Sequence, residues 1–407
     1  MAIVVRVLQR RQKAVVAMEA EAAGLSAQQR RWLYELVYGV LRHYFSLQTD
    51  YSRFTKAKPD ALAQAALLVG CYQLRRMQLP DYAALSATVE AVKALQPAAA
   101  GFVNAVLRRV AEQAPPAKLK PYQRAELPQW IYAAWRDDFG ADAVQQLAQV
   151  CQSPPPLTLA VFVDRERWMA DVRRMGIRAA AGALSPLAVL LPSGCDVTTL
   201  PGFDDGAFCV IDQAAQAAVM AYAPSKPPSL LLDLCAAPGG KTALLAHRFP
   251  QAEIVAVERQ ASRMARLAEN LDRLDCRNVT IMQADATTLP FADASVDGLF
   301  LDAPCSASGI LRRHPDAKFL HSSEDVAQLA GVQRAMVDEA LRLLKPGAAM
   351  LYAVCSIHRQ ENENVVAGRA APEQMQRLLP AAEHDGFFYA QLQRAGDGMV
   401  EGGNGGG

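Results

Sequence analysis

No stretch of this 407-residue sequence stays apolar for the roughly 18–20 residues that a membrane-spanning helix needs. The opening segment, MAIVVRVLQRRQKAVV, has too short an apolar patch for a signal peptide. Cysteine is thin and scattered: the eight residues, at 71, 151, 195, 209, 235, 276, 305 and 355, form no C-x-x-C pair and no Cys/His cluster. Neither a metal site nor a disulfide framework is therefore expected, and the chain reads as reduced and cytoplasmic, without a membrane partner. Proline and glycine are scarce up to residue 112, which argues against a loop-rich or sheet-rich beginning. Acidic residues are also scarce there. Up to residue 125 there are 18 Lys/Arg against 8 Asp/Glu, a net charge of about +10, and the remainder carries about −9. A basic first part joined to an acidic second part suits a polyanionic partner, although basic faces are often merely solvated.

One further absence raises the question of function. LLLDLCAAPGGKTALLAHRF, residues 230–249, ends its glycine loop as a phosphate-cradling loop does, with Gly240-Lys241-Thr242. The first glycine of that pattern belongs at position 235, and Cys235 stands there instead. With no accompanying magnesium pattern, a nucleotide hydrolase is the weakest reading.

What is present falls into three textures. Residues 1–125 read as an all-α domain: QQRRWLYELVYGVLRHYFSLQTDYSRF has Trp32, Leu33, Leu36, Val37, Val40 and Leu41 at helical spacing, and ALAQAALLVGCYQLRRMQ, AALSATVEAVKALQ and AGFVNAVLRRVAEQ repeat that pattern. Residues 126–200 read as a small α/β connecting subdomain, with a helical LPQWIYAAWRDDFGADAVQQLAQVCQ, a strand in PPPLTLAVFVD, a helix in RERWMADVRRMG and a strand in LAVLLP. From 201 to 400, apolar strands alternate with helices, which predicts a doubly wound, mostly parallel sheet closed by a last, antiparallel strand in DGFFYAQLQR. The tail, 401–407, has nothing to bury and is expected to be disordered.

In such a sheet, ligands sit beyond the carboxyl ends of the strands. Four of those ends carry Asp233, Glu258, Asp285 and Asp302. An acidic rim suits a ligand with ribose hydroxyls, an adenine amine and a positive charge, all of which S-adenosylmethionine has; a nicotinamide dinucleotide and plain helix-capping acids are the alternatives. Cys305, after Asp302-Ala303-Pro304, and Cys355, at the end of the next strand, should meet at the same rim. Methylation of a pyrimidine carbon needs such groups. Cytosine C5 is a weak nucleophile until a thiolate adds to C6, and a carboxyl group near N3 stabilises the electron density that the addition pushes into the ring. This chemistry does not say which cysteine attacks.

DLCAAPGGKT, DAPCSASGILRRHPD and YAVCSIHRQENE resemble, in order and spacing, the signature motifs of the RNA (cytosine-5) methyltransferases. LVYGVLRHYFSL, LLVGCYQLRRMQLPDYAALSATVEAVK and GFVNAVLRR are similar to the NusB-like RNA-binding domain of a bacterial ribosomal RNA branch of that family. The resemblance implies an α/β Rossmann-like S-adenosylmethionine-dependent methyltransferase domain preceded by an all-α NusB-like domain and a small α/β linker domain. It implies formation of 5-methylcytosine in small-subunit (16S) ribosomal RNA. A splayed-out cytosine is expected, since a thiol cannot reach C6 inside a stacked helix; no metal is expected, and a monomer is the default. Cys355 matches the nucleophile, Cys305 the cysteine that helps release product, and Asp302 the acid beside the target base and the cofactor's amino group. Cys235, Ala236, Ala237, Pro238, Gly239, Gly240 and Lys241 match the cofactor cradle, Glu258 the ribose acid, Asp285 the residue beside adenine, and Arg263 a further cofactor contact.

The sequence departs from the family pattern at Val354, where threonine is usual, at Ser306-Ala307-Ser308-Gly309, and at Leu159-Ala160-Val161-Phe162, which lacks an arginine and an asparagine. These departures give the rival reading its basis: a weakly active or non-catalytic RNA-binding factor of ribosome assembly or antitermination that retains the fold. Arg30, Arg31, Arg75, Arg76, Arg108, Arg109, Arg312, Arg313 and His314 are candidates for phosphate contact or for ordinary structural roles. His358 is expected in a solvated loop, and Asn362 and Glu363 match the family motif or cap the helix that follows.

Overall fold

The computed structural model describes residues 1–370 and 374–395; the expected disordered tail at 401–407 lies outside the described residues. Contacts divide the chain into two compact units. The first is Met1–Pro154 with Ile310–Glu324, and the second is Pro155–Gly309 with the chain from Asp325 onward.

The first unit is helical: α1 (Ala2–Arg10), α2 (Ala14–Glu21), α3 (Ala27–Arg42), α4 (Tyr44–Ser52), α5 (Ala61–Arg76), α6 (Asp81–Leu95), α7 (Ala100–Glu112), α8 (Pro121–Arg124), α9 (Gln129–Phe139) and α10 (Ala141–Gln152). Helix α5 is its axis. The Asp60 carboxylate starts it by accepting the N–H groups of Leu62 and Ala63, both at 3.0 Å. Every residue from Ala63 to Gln73 is buried, because α1, α3, α4, α6 and α7 pack around it. The one-sided amphipathic helix expected here is thus a central one. Close approach of α7 depends on Gly70, where a Cβ would lie 2.4 Å from Leu107 Cδ1.

The long helix expected over residues 28–54 is two helices broken at His43. The break has a distant cause. The buried Glu126 carboxylate accepts the N–H of Phe45 at 2.8 Å and of Ser46 at 3.3 Å, which supplies a cap where the chain restarts. A short helix, Ala317–Leu320, completes this unit. Lys318 Nζ donates to the carbonyls of Glu126 (2.7 Å) and Arg42 (3.1 Å), and Asp316 accepts the N–H of Ala14 at 2.8 Å.

The second unit holds two sheets. The smaller is antiparallel, in the order β2-β3-β1-β4, from β1 (Leu157–Val161), β2 (Ala180–Ala181), β3 (Ala188–Leu191) and β4 (Phe208–Val210), with α11 (Arg165–Arg174) against it. The larger comprises β5 (Leu230–Leu234), β6 (Glu253–Glu258), β7 (Val279–Gln283), β8 (Val296–Asp302), β9 (Leu344–Val354), β10 (Met375–Leu378) and β11 (Phe387–Gln393). Its order is β10-β11-β9-β8-β5-β6-β7; β5 to β9 run parallel and the last two strands are antiparallel. The doubly wound sheet and its antiparallel closing strand are as expected, and β10 is an addition to them. Helices α12 (Gln213–Ala221), α13 (Gly240–Arg248) and α14 (Ala261–Arg273) and the helix Ser323–Leu343 complete the unit. The sequence proceeds outward from β5 to β7 and then returns to β8 on the other side of β5. That reversal opens a crevice at the carboxyl ends of β5 and β8, where doubly wound sheets bind ligands. No described helix is long and apolar enough to cross a membrane.

Gly70→Ala gains about 1 kcal/mol of helix propensity but loses about 1–3 kcal/mol to overpacking against Leu107. The net expectation is a lower urea midpoint with an unchanged slope; a raised midpoint would show that α7 can retreat without cost.

Candidate active site at the carboxyl edge of the parallel sheet

The glycine loop turns sharply out of β5. Cys235 adopts a left-handed conformation (φ 63°) and Gly239 another (φ 103°). The N–H of Ala236 bonds back to the Val257 carbonyl at 3.0 Å, and that of Gly239 to the Ala236 carbonyl at 2.8 Å. A Cβ on Gly239 would sit 2.9 Å from Leu267 Cδ1, so only glycine fits where the loop meets α14. Helix α13 then starts at Gly240 and directs its N-terminal end at the crevice.

Asp233 is fully buried beneath this loop. Thr242 Oγ1 donates to its Oδ2 at 2.5 Å, whereas Oδ1 has no partner. Burial pushes the carboxyl pKa up to about 7; the Thr242 bond opposes this, Asp302 adds to it, and Lys241 opposes it weakly. The buried Glu258 carboxylate accepts the N–H of Gln260 at 2.9 Å on Oε1 and Arg263 Nη1 at 3.0 Å on Oε2. Arg263 Nη2 also donates to the Ala237 carbonyl at 2.5 Å, so Arg263 braces the loop against the acid. Asp285 lies two residues beyond β7 rather than at its end. It accepts the N–H and hydroxyl of Thr287 at 2.9 and 2.7 Å, and these two bonds hold its pKa below the usual carboxylate range.

On the other side of the crevice, Asp302 ends β8, and its Oδ2 accepts Lys241 Nζ at 2.8 Å. Burial works against the Lys241 charge, but Asp302 and the nearby Cys355 outweigh it, and the ammonium pKa is raised. Cys305 and Cys355 meet as expected, with their sulfurs 3.4 Å apart. The Cys305 thiol is pushed well up by its bond to Cys355, by burial and by the neighbouring charges of Cys355 and Glu361. Glu361, unremarked in the sequence, links the two cysteine loops: Ser306 Oγ and Ser356 Oγ each donate to its Oε2 at 2.5 Å. The signal was there in ENEN, one residue before the pair singled out, but its partners lie 55 and 5 residues away.

Several expected roles change. His358 is buried rather than solvated, and burial, with Arg377 adding to it, lowers its pKa to about 4. Glu363 makes an ion pair with Arg377, accepting its Nε at 2.9 Å, and Asn362 precedes the short helix Glu363–Val366 without capping it. Arg312 is buried in the helical unit, donating to the Pro154 carbonyl at 2.9 Å. Arg75 is bound to Asp50 at 2.7 Å and to the carbonyls of Val110 and Gln113, whereas Arg30, Arg31, Arg76, Arg108 and Arg109 are exposed. Val354 is buried in the sheet core, where a threonine hydroxyl would be. Among the described residues, no cluster of three or more His, Cys, Asp or Glu is arranged to hold a metal.

Sequence comparison agrees with this architecture. Residues 219–371 match the model of the 16S rRNA methyltransferase RsmB/F family, 3–112 that of the NusB family, and 127–198 the RsmF/B-like ferredoxin-like domain. The ribosomal RNA small subunit methyltransferase B of Shewanella oneidensis is 35% identical over 398 residues, which cover 91% of this chain and 92% of the relative. That of Sodalis glossinidius is 36% identical, with 91% of each covered. The chain belongs to the RsmB/F family of S-adenosylmethionine-dependent ribosomal RNA methyltransferases. The crystal structure of PH0851 has the same fold, with a TM-score of 0.80 at 22% identity over 96% of this chain and 97% of that one. NSun6 from Pyrococcus horikoshii, solved with SFG, matches 66% of this chain and 99% of its own with a TM-score of 0.59 at 18% identity.

The residues of this RsmB/F chain fit the family's cofactor. Asp233 Oδ1 is an unpaired buried acceptor, each Glu258 oxygen keeps a second lone pair, and the glycine loop leaves its backbone open to close approach. Asp233 also gives the fold a pH signature. Its folded pKa, about 7, lies above the unfolded value of about 3.9, so the native state binds the extra proton and the Asp233 contribution to stability falls as pH rises from about 4 to 7. Buried His358 acts oppositely: neutral when folded, it costs stability as pH falls from about 6.5 to 4. Comparison with Asp233→Asn isolates the first effect. The variant should gain on wild type by on the order of 3 kcal/mol between pH 4 and 8, and a difference independent of pH in urea melts would refute the assignment.

Proposed function

We propose that this chain transfers a methyl group to C5 of a cytosine in 16S ribosomal RNA through a covalent bond between Cys355 and C6. The observation that carries the reading is the pair of thiols 3.4 Å apart beside the Asp302–Lys241 ion pair. S-adenosylmethionine, when bound, supplies an electrophilic methyl group. Asp233, Cys235, Ala236, Ala237, Pro238, Gly239, Gly240 and Glu258 would hold it, with Asp285 beside the base, Arg263 bracing the cradle, and Lys241 facing Asp302.

The family resemblance assigns Cys355 as the nucleophile, and the neighbours of the two cysteines support that division of labour. Lys241 lies near Cys355 and Glu361 near Cys305, so the cation faces one sulfur and the carboxylate the other. Cys305 is half-buried beside Glu361, which opposes its ionisation, and in this reading it keeps the proton that the two sulfurs share. As the Cys355 thiolate adds to C6, the C5–C6 π electrons become available at C5 for the methyl carbon. Asp302, bonded to Lys241, takes a proton from its ammonium and as the carboxyl form donates a hydrogen bond to N3, where negative charge develops. A base then removes the C5 proton, the C5–C6 double bond re-forms and Cys355 leaves as thiolate, with Cys305 assisting its release. In this reading residues 1–125 hold RNA, 126–200 connect, and 201–400 carry the chemistry. The target cytosine must be unstacked for a thiol to reach C6. The enzyme acts as a cytoplasmic monomer without metal.

Trapping with tritiated S-adenosylmethionine and unmodified small-subunit RNA tests the assignment. Cys305→Ala should accumulate a denaturation-resistant protein–RNA adduct, and Cys355→Ala should give neither adduct nor label. An adduct in Cys355→Ala would reverse the roles, and RNA binding without any transfer by wild type would favour an assembly factor.

A further inference from the structure

Glu361 is a charged group at this site for which the reaction has no direct use. Its side chain is fully buried and makes no ion pair among the described residues. Four hydrogen bonds satisfy it instead. Oε1 accepts the Ser306 N–H at 2.8 Å and Gln333 Nε2 at 3.2 Å, and Oε2 accepts the hydroxyls of Ser306 and Ser356 at 2.5 Å each. The Tyr352 hydroxyl fixes the Glu361 backbone by donating to its carbonyl at 2.6 Å, and Gln333 also donates to the Pro304 carbonyl at 2.9 Å. Ser306 follows Cys305 and Ser356 follows Cys355, so a single carboxylate holds the residue next to each thiol.

Building on the reading of these cysteines as the reacting pair, we propose that Glu361 is a positioning residue that clamps the two cysteine loops together and biases the shared proton toward Cys305. Shape alone does not require a charge here. A glutamine amide has the same outline, its oxygen suits the two N–H donors, and its nitrogen suits hydroxyls turned to accept. A buried carboxylate without a cation is costly, and charge-assisted bonds only offset that cost. What the charge adds is electrostatic: it opposes ionisation of Cys305. The groups facing the pair complete the bias. Lys241, bound to Asp302, lies near Cys355; Glu361 and the Cys355 sulfur face Cys305; and Tyr352 lies near Cys305, Asp302 and Arg334.

The test is thiol chemistry on the full-length protein without RNA, so it does not depend on the substrate being identified correctly. Alkylation of each cysteine by iodoacetamide is followed by peptide mass spectrometry from about pH 6 to 10, alongside methyl-transfer kinetics. In Glu361→Gln the Cys305 profile should move about one unit to lower pH, roughly tenfold faster alkylation at a given pH below its midpoint. Cofactor affinity should be unchanged, and kcat should fall about tenfold or more at constant RNA KM. Glu361→Ala should lose more activity than Glu361→Gln, because it removes the clamp as well as the charge. A purely structural residue would lower the melting temperature and leave both cysteine profiles in place; that result, or a wild-type kcat in folded Glu361→Gln, overturns the proposal. If Glu361→Gln does not fold, Ser356→Ala takes its place. It cuts one link and keeps the charge, so kcat should fall with the alkylation profiles unmoved, and a wild-type kcat would refute the clamp.

Discussion

The site depends on the register between two neighbouring parallel strands. Asp302 on β8 lies opposite Ala353 on β9, so the chain reaches Cys305 three residues beyond the one and Cys355 two beyond the other. Parallel pairing carries both strands to the same edge, and a slip of one residue would turn each side chain to the opposite face. Beyond the strands, ladder hydrogen bonds no longer hold the backbone. Its place is taken by Gly309, whose N–H bonds to the Cys355 carbonyl at 3.0 Å, and by the Glu361 carboxylate. Gly309 has no room for a side chain, since a Cβ would lie 2.4 Å from the Gly386 carbonyl oxygen.

The rim concentrates carboxylates and few cations. Asp233 is bonded by Thr242 through Oδ2 alone, Glu361 is satisfied by neutral donors, Glu258 by Arg263 and a backbone N–H, and Asp302 by Lys241. Such a surface is electrostatically incomplete in a way that suits a cationic ligand, and the same field would repel RNA phosphate from the cofactor side of the crevice. Lys241 stands at the boundary: one end of its environment is the acidic rim, and the other is the Cys355 thiol.

Much of this was legible in the sequence because it is local. Strand ends, the glycine loop and the alternation of strands with helices are written in short windows, and they located Asp233, Glu258, Asp302, Cys305 and Cys355 at one edge. The strand periodicity also led directly to neighbouring thiols. What escaped depends on partners far apart in the chain. The break at His43 follows from a carboxylate at 126, and Arg312 is buried by carbonyl acceptors near 154. His358 reads as polar loop sequence, but its burial is decided by tertiary packing. Glu361 looks like any acid in ENEN until Ser306 and Gln333 arrive. Asp285 was displaced by two residues because a strand end cannot be fixed that closely from pattern alone.

The membership of residues 310–324 in the helical unit has a consequence for synthesis. Domains generally form in the order in which they leave the ribosome, at about 5–20 residues per second. Helices α1 to α10 can pack early, but the Glu126 and Arg42 carbonyls wait for Lys318, and the Ala14 N–H waits for Asp316. About 150 further residues must be made first, a delay on the order of ten to thirty seconds. The amino-terminal unit is therefore born incomplete, and its last piece arrives only after the strand carrying Asp302 and the loop carrying Cys305 have emerged.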